Sequence, residues 1–443
     1  MALDLPQRGT DDGDWDVKLN AILTSLDART KASIGAALPS GWDFQWQAAK
    51  AAAAAGTGTA EVVLIGDSTT AGQSAPPVTD TLVFGWAGRL DTLLAGSSGA
   101  NLGGFAEGYT IAGLQPGTGT QTTPSSPYNT PGAFAVYDGG VGQAWVASTT
   151  GVPWLTITVP VHPVTSAAPT SIDLLTLDYN TNQWSYAVDG GAAVTVTCAG
   201  PGTIGNSILR RTTISLAGTT PHSIVLTNVS ANGLIFMGHV AYYSNHGVGI
   251  FRNGIPGFRA VDFATGGGST AGSSGGISAT PDHIKPWSGI NDAYNNSGAS
   301  FPWTADLAII MLGGNDVTLG SGTDAFKKTI TRFIHAFRRG NSPLSSTPGA
   351  SILIVAEGYP SEYGDNFSAV GAEAYEAQRI KTILRDLANS YSCGFIDLDA
   401  LFGETPVARG LMAAGLVHPT QNGSGAGGGD GHLTIANAIY SIL

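Results

Sequence analysis

Short runs of apolar residues, each followed by a helical pattern, constrain the fold of this chain most strongly. The runs are Val62–Ile65, Leu307–Leu312 and Ser351–Val355. Their length and β-branched content indicate buried strands, and helical patterns follow the last two runs at about residues 323–339 and 369–390. Alternation of strands and helices predicts an α/β fold with a parallel sheet flanked by helices.

The first of these strands ends in a serine, because Gly66, Asp67 and Ser68 follow directly on Ile65. In open α/β sheets, ligands bind at the carboxyl edge of the strands. A serine hydroxyl at that edge attacks a carbonyl when a neighbouring base takes its proton. If Ser68 also begins a helix, the amides of the helix N-terminus point at the group under attack.

The pattern changes twice before residue 250. Residues 95–132 are rich in Gly, Ser, Thr and Pro, which predicts a loop. Alternating runs separated by turn residues then predict strands at Trp154–Val159, Ser171–Leu177, Gln183–Val188 and Ser223–Leu226. They predict a β-sandwich of jelly-roll type, inserted in the α/β domain because the strand–helix alternation resumes after it.

Aromatic residues in this insertion have two interpretations. They form the core of the sandwich or a platform on which sugars stack, so the insertion is a candidate carbohydrate-binding domain. The residues are Trp154, Trp184, Tyr186, Tyr242 and Tyr243.

Residues 1–60 form a predicted helical arm with an apolar stripe over Trp15–Leu26 and a second helix over Trp46–Ala55. A short arm cannot bury such a stripe alone, so we expect it to dock on a partner or on copies of itself. The alternative is an arm packed on its own domain. The predicted domains are the arm at 1–60, the α/β domain at 61–132 and 251–443, and the insertion at 133–250.

Charge and cysteine content disfavour several classes of protein. The net charge is −12, and the longest basic runs are Lys327-Lys328 and Arg338-Arg339, which argues against a nucleic-acid partner. No apolar run approaches the roughly 20 residues of a transmembrane helix, and no secretory signal is visible at the N-terminus. Cys198 and Cys393 are too few for a metal cluster, so we expect no metal or cofactor.

Four motifs occur in a fixed order along the chain. They are Gly66-Asp67-Ser68, Gly254-Ile255-Pro256-Gly257, Gly313-Gly314-Asn315-Asp316 and His418-Pro419. Together they resemble the conserved blocks of the SGNH hydrolase, or GDSL-type esterase/lipase, superfamily. The resemblance covers residues 61–130 and 251–443. It implies a flavodoxin-like parallel sheet and the activity of a serine carboxylic ester hydrolase.

The resemblance also implies roles for individual residues. Ser68 is the nucleophile and His418 is the base that takes its proton and later gives it to the leaving alcohol. The oxyanion hole consists of the Ser68 amide, the Gly257 amide and the Asn315 side chain. The resemblance implies no metal requirement.

One position departs from the family pattern. The family places an aspartate three residues before the histidine, and this chain has Gly415 there. The orienting group for His418 is therefore a backbone carbonyl, which gives a Ser–His dyad, or a carboxylate from elsewhere, for which Asp430 is the candidate. We favour the dyad.

Residues Leu5 to Asn20 resemble the start of tail fibre and minor tail proteins of actinobacterial phages. This resemblance implies a protein of the virion, often trimeric, that binds other tail proteins through residues 1–60. The expected substrate is then an O-acetyl or other acyl ester of a cell-surface glycan or glycolipid. The alternative function is a non-catalytic receptor-binding tail protein with a degenerate hydrolase fold. The alternative location is cytoplasmic, or exported without a visible signal.

Overall fold

The structure is a computed structural model of the 443-residue chain. The residues that it describes are 38–72, 85–96, 105–110, 128–129, 134–139, 142–147, 150–159, 161, 166–178, 181–199, 208–218, 221–230, 234–243, 247–254, 258–261, 305–338, 349–357, 372–403, 406–412, 418–420 and 429–443.

Helices and strands are numbered here in chain order. The helices are α1 (Phe44–Ala54), α2 (Trp86–Gly96), α3 (Gly314–Leu319), α4 (Thr323–Arg338), α5 (Ala372–Ser390), α6 (Leu398–Phe402) and α7 (Gly431–Tyr440). The strands are β1 (Thr59–Gly66), β2 (Phe105–Thr110), β3 (Tyr128–Asn129), β4 (Phe134–Gly139), β5 (Gly142–Ala147), β6 (Pro153–Val159), β7 (Ser171–Asp178), β8 (Gln183–Val188), β9 (Val194–Thr197), β10 (Ile208–Ser215), β11 (His222–Asn228), β12 (Ile235–Tyr242), β13 (Gly247–Gly254), β14 (Leu307–Leu312), β15 (Ser351–Ala356) and β16 (Gly394–Asp397).

A parallel sheet with flanking helices lies at the centre of the molecule, as the strand–helix alternation predicts. β1 pairs in parallel with β13 on one side and with β14 on the other, and β15 and β16 continue the sheet beyond β14. Every residue of β14 and β15 is buried, because helices cover both faces of such a sheet.

The edge of this sheet beyond β13 carries strands that the sequence did not place there. β2, in a segment predicted as loop, pairs in parallel with β13, and β12 then pairs antiparallel with β2. β7 and β10 follow β12, and the hairpin β4–β5 joins at β12. The open edge of the parallel sheet is thereby covered by strands of the same chain.

A second, antiparallel sheet has the order β3-β6-β11-β8-β9. The four strands predicted within 133–250 are all present, but β7 belongs to the large sheet and β6, β8 and β11 to the small one. An inserted sandwich separate from the α/β sheet is therefore not confirmed, since hydrogen bonds run without a break from β10 to β16.

The aromatic residues of the insertion lie mostly in its core. The Trp154 and Trp184 side chains are fully buried, and Tyr242 and Tyr243 are 7% and 5% exposed. Tyr186 is partly buried and packs against the same core. Four of the five rings therefore belong to the core, and carbohydrate binding by the insertion stays a prediction.

Helix α1 packs on the sheet of its own chain, although it lies in the predicted arm. The Trp46 side chain is fully buried, and its indole N–H donates to the backbone carbonyl of Leu443 over 3.2 Å. The Trp46 backbone N–H donates to the Ser351 hydroxyl at the start of β15 over 3.0 Å. The first helix of the predicted arm, over Trp15–Leu26, lies outside the described residues.

Candidate active site

The chain turns sharply where β1 ends, and this turn carries Ser68. The Ala71 N–H donates to the Asp67 carbonyl over 2.9 Å, and the Gly72 N–H donates to the Thr69 carbonyl over 3.1 Å. These bonds close a single turn through Gly72. Ser68 therefore lies in a turn at the carboxyl edge of the sheet and does not begin a regular helix.

Two glycines allow this turn to sit directly on the strand ends. A Cβ at Gly66 would lie 2.0 Å from the Thr70 Oγ1 and 2.7 Å from the Met311 carbonyl oxygen in β14. A Cβ at Gly254, the last residue of β13, would lie 2.3 Å from the Ala71 backbone nitrogen. Any side chain at either position would displace the turn and the serine with it.

Ser68 and His418 meet although 350 positions separate them in the sequence. The Ser68 Oγ and the His418 Nε2 lie 2.7 Å apart, and Ser68 is 8% exposed. Burial lowers the pKa of His418 below its ordinary value of 6.5, because a buried site disfavours the charged imidazolium. The imidazole is therefore neutral near pH 7 and able to accept the serine proton.

The loop that carries His418 is held by the neighbouring Thr420. The Thr420 backbone N–H donates to the Leu411 carbonyl over 2.9 Å, and its hydroxyl donates to the Gly410 carbonyl over 2.6 Å. The same hydroxyl accepts the Gly431 N–H at the start of α7 over 3.0 Å. Through Thr420, the segment that carries His418 is thus bonded to residues 410–411 and to the start of α7.

Asp430 does not reach His418. One of its carboxylate oxygens accepts the Leu433 N–H over 2.9 Å and so caps α7, and the other pairs with the Arg89 guanidinium over 3.1 Å. In the described part of the chain the ring of His418 bonds to Ser68 and to no carboxylate. The contacts of Asp430 thus lie with α7 and Arg89, and its role as orienting acid stays a prediction. Gly415 lies outside the described residues.

The Asn315 side chain lies beside the nucleophile turn at the N-terminus of α3. Its Nδ2 donates to the Asp67 carboxylate over 3.0 Å and to the Phe258 carbonyl over 3.0 Å. Both N–H groups of the amide are thus used within the protein in the absence of substrate. Donation to an oxyanion requires the exchange of one of these bonds. Gly257, the second predicted donor, lies outside the described residues.

The segment just after Gly257 is fixed by the same helix. The Asp316 carboxylate accepts the Ala260 N–H over 2.8 Å, while Asn315 holds Phe258. Gly313, which precedes α3, has a φ of 145°, a conformation that favours glycine. The first residues of α3 therefore hold Phe258 and Ala260, which follow directly on Gly257, the predicted backbone donor.

Two acidic residues at this edge had no role in the sequence-based prediction. The Asp67 carboxylate accepts the Thr69 N–H over 2.9 Å, and burial raises the pKa of Asp67 to about 6. Glu357 directly follows β15 and is 3% exposed. Burial, and then the negative charge of Asp67, raise the pKa of Glu357 well above its usual range. An acidic residue directly after a wholly apolar strand is the sequence signal that identifies Glu357.

In the portion of the chain that is described, no group of three or more His, Cys, Asp or Glu side chains could hold a metal ion. No helix there is long and apolar enough to cross a bilayer.

Residues 254–426 match the GDSL-like Lipase/Acylhydrolase family. The matched stretch includes Asn315 and His418, and β1, which lies outside it, brings Ser68 to them. The match supports the prediction of a GDSL-type ester hydrolase. No curated protein matches the chain in sequence.

Solved structures with a similar fold include one described as "Peptidoglycan O-acetylesterase in action, 5 min". It is 16% identical with a TM-score of 0.57, and the match covers 94% of this chain and 96% of that one. A family two carbohydrate esterase from Clostridium thermocellum is 12% identical with a TM-score of 0.26, over 71% of this chain and 97% of that one. The first of these shows that this chain shares its fold, over nearly its whole length, with a structure described as a peptidoglycan O-acetylesterase.

Proposed function

We propose that this chain is a serine esterase with Ser68 as nucleophile and His418 as general base. The distance of 2.7 Å between the Ser68 Oγ and the His418 Nε2 is the observation that carries the proposal. A hydroxyl becomes an effective nucleophile only when a base within hydrogen-bond reach takes its proton. The family match over residues 254–426 supports ester hydrolysis as the reaction.

The reaction proceeds in two halves. His418 takes the Ser68 proton while the Oγ attacks the ester carbonyl, and the resulting oxyanion is stabilised by backbone amides and by one N–H of Asn315. Collapse of this intermediate breaks the bond to the alcohol, which leaves with the proton from His418. Water, activated by the same imidazole, then attacks the acyl-serine and releases the acid.

A Ser–His dyad accounts for the site better than a triad. The carboxylate proposed from the sequence, Asp430, is bonded to Arg89 and to the start of α7. Burial is the cause that shifts the pKa of His418, and it acts in the direction of a neutral base. We propose that a backbone carbonyl orients the imidazole.

The proposed substrate is an O-acetyl or other small acyl ester on a carbohydrate or cell-envelope polymer. The support is the fold shared with a structure described as a peptidoglycan O-acetylesterase. The test is acetate release from p-nitrophenyl acetate and from O-acetylated glycans by wild type, by Ser68→Ala and by the control Ser441→Ala. Ser441 lies just after α7, where its hydroxyl bonds to the Ala438 carbonyl.

The expected result is turnover by wild type and by Ser441→Ala, and a loss of several orders of magnitude in Ser68→Ala. Absence of turnover on every short acyl ester contradicts the proposal. Glycan binding of equal affinity in wild type and Ser68→Ala, without turnover, supports the alternative of a receptor-binding protein with a degenerate hydrolase fold.

We also propose that the chain is a phage tail protein that binds its neighbours as a trimer through its N-terminal residues. The support is the resemblance of Leu5 to Asn20 to tail proteins. Because α1 packs on its own sheet, the proposed attachment segment is narrowed to residues 1–37. Light scattering of the full chain and of a chain without residues 1–37 tests this. A trimer that becomes a monomer supports the proposal, and equal subunit numbers contradict it.

A further inference from the structure

Glu357 is a buried carboxyl group without a catalytic task in the reaction described above. It follows the last residue of β15, at the edge of the sheet that carries Ser68 and Asn315, and its side chain is 3% exposed. Neither carboxyl oxygen receives a hydrogen bond of good geometry from an N–H or O–H group. Thr69 and the Gly314 N–H lie near it without completing such a bond.

The group that Glu357 contacts is the carboxyl of Asp67, and a hydrogen bond between them requires a proton on one of the two. Asp67 accepts the Thr69 N–H over 2.9 Å and the Asn315 amide over 3.0 Å. Two donors stabilise an ionised carboxylate, so the negative charge belongs on Asp67. Neither oxygen of Glu357 accepts a bond of comparable geometry, so the shared proton belongs on Glu357.

We propose that Glu357 is a positioning residue that donates this proton in a hydrogen bond to Asp67. By fixing the Asp67 carboxylate, it orients the two groups that donate to that carboxylate, the Asn315 amide and the Thr69 N–H. The two orientations of an Asn side-chain amide, related by a flip of its oxygen and nitrogen, have almost the same shape. Because a carboxylate only accepts hydrogen bonds, Asp67 selects the orientation in which the Nδ2 of Asn315 faces it. The pair therefore keeps the N–H side of the Asn315 amide, instead of its carbonyl oxygen, turned toward the residue that precedes Ser68.

The charged and titratable groups around Glu357 fit this role. Asp67 faces it from the turn after β1, and the negative charge of Asp67 acts on Glu357. Within the described residues, neither Glu357 nor Asp67 forms an ion pair. With no cation to balance a second charge, ionisation of Glu357 places two negative charges in contact and pushes Asp67 away from its partners.

Kinetics of Glu357→Gln and Glu357→Leu test the proposal, which rests on the esterase activity proposed above. Glutamine donates an N–H where the protonated acid donates an O–H, so E357Q keeps most of the kcat at pH 7. E357L lacks a donor and loses about 10–100-fold in kcat with little change in KM, as other outer-shell partners do. In the N315A background E357L costs little more, because the pair acts through Asn315.

The pH profile separates positioning from a structural role. Wild type loses activity as the pH rises through the range in which Glu357 ionises, and E357Q does not lose activity in that range. Superimposable profiles in that range, or an unchanged kcat in E357L, overturn the proposal. If a thermal melt shows that E357L is unfolded, the pH profiles of E357Q and wild type alone test the proposal.

A readout without turnover distinguishes failure of this inference from failure of the proposed function. Asparagine labelled with ¹⁵N gives a side-chain amide signal for Asn315, identified by its absence in Asn315→Ala. The signal moves in wild type as the pH rises through the range in which Glu357 ionises, and stays fixed in E357Q, if Glu357 holds Asp67. Identical behaviour in both proteins overturns the inference, whether or not wild type hydrolyses esters.

Discussion

The Asn315 amide donates to the Asp67 carboxylate over 3.0 Å, which joins the start of α3 to the nucleophile turn. The predicted oxyanion donor is therefore oriented by the residue that precedes the predicted nucleophile. The bond links two strand ends, those of β1 and β14, that are neighbours in the sheet.

Replacement of Asn315 by alanine is expected to lower kcat with a small change in KM. An oxyanion donor acts on charge that develops in the transition state, and the loss of one costs about 2.7–4 kcal/mol, or roughly 10²–10³ in rate. Steady-state kinetics on p-nitrophenyl acetate measure this loss. An Asn315→Ala protein with the kcat of wild type excludes the residue from the oxyanion hole.

The pH dependence of kcat/KM is expected to have its acid limb below pH 6.5. His418 acts as a base only when neutral, and burial lowers its pKa, so the active form persists to lower pH than for a free histidine. Protonation of Asp67, with a pKa of about 6, removes activity in the same range. Activity therefore rises with pH through this region and is level near pH 7. A midpoint above pH 7 contradicts this assignment.

Asp430→Asn is expected to leave kcat close to that of wild type. Asparagine still caps the start of α7, and the lost pair with Arg89 costs about 1 kcal/mol or less because both groups are partly exposed. Kinetics and a thermal melt of the variant measure the two effects. A fall of about 10⁴ in kcat, as for a missing triad aspartate, makes Asp430 the orienting acid after all.

Gly254→Ala is expected to abolish activity, whereas Gly58→Ala is expected to have no effect on it. The new Cβ at position 254 lies 2.3 Å from a backbone nitrogen of the nucleophile turn, and at position 58 it meets nothing within 4 Å. Both substitutions add the same methyl group, so the pair isolates the steric effect. Equal activity of the two variants means that the turn can shift without loss.

Trp46→Ala is expected to destabilise the whole chain by about 3–5 kcal/mol, as truncation of a buried aromatic side chain does. The matched control is Phe44→Ala on the same helix, because Phe44 is 73% exposed. Unfolding in denaturant gives both values. Equal stability of the two variants would show that α1 is an arm detached from the sheet in solution.

Much of the α/β core could be predicted from the sequence because local pattern and burial agree there. The strand predicted at Leu307–Leu312 is found without change, and that at Ser351–Val355 is one residue longer, since a fully apolar run of this length fits little else than a buried parallel strand. The geometry also brings Ser68, Asn315 and Asp67 to one edge, as parallel strand ends require. The catalytic roles of these residues stay predictions.

Other features lack a local signal. Three of the eight residues of β13 are glycine, which weakens the strand pattern in the sequence. One of them, Gly254, must be glycine because its Cβ position lies against the backbone of Ala71. The pairing of β12 with β2 joins residues about 130 positions apart, and no pattern within either strand specifies it. The proton shared by Glu357 and Asp67 depends on burial, which appears only once the strands are assembled.

The separation of 350 positions between Ser68 and His418 has a consequence for the order of events during synthesis. At about 5–20 residues per second, the ribosome makes the proposed nucleophile roughly 20–70 s before the proposed base. Throughout that interval the serine has no partner to take its proton. The nascent chain is therefore expected to be inert toward esters until the segment around His418 is made and docks beside Ser68.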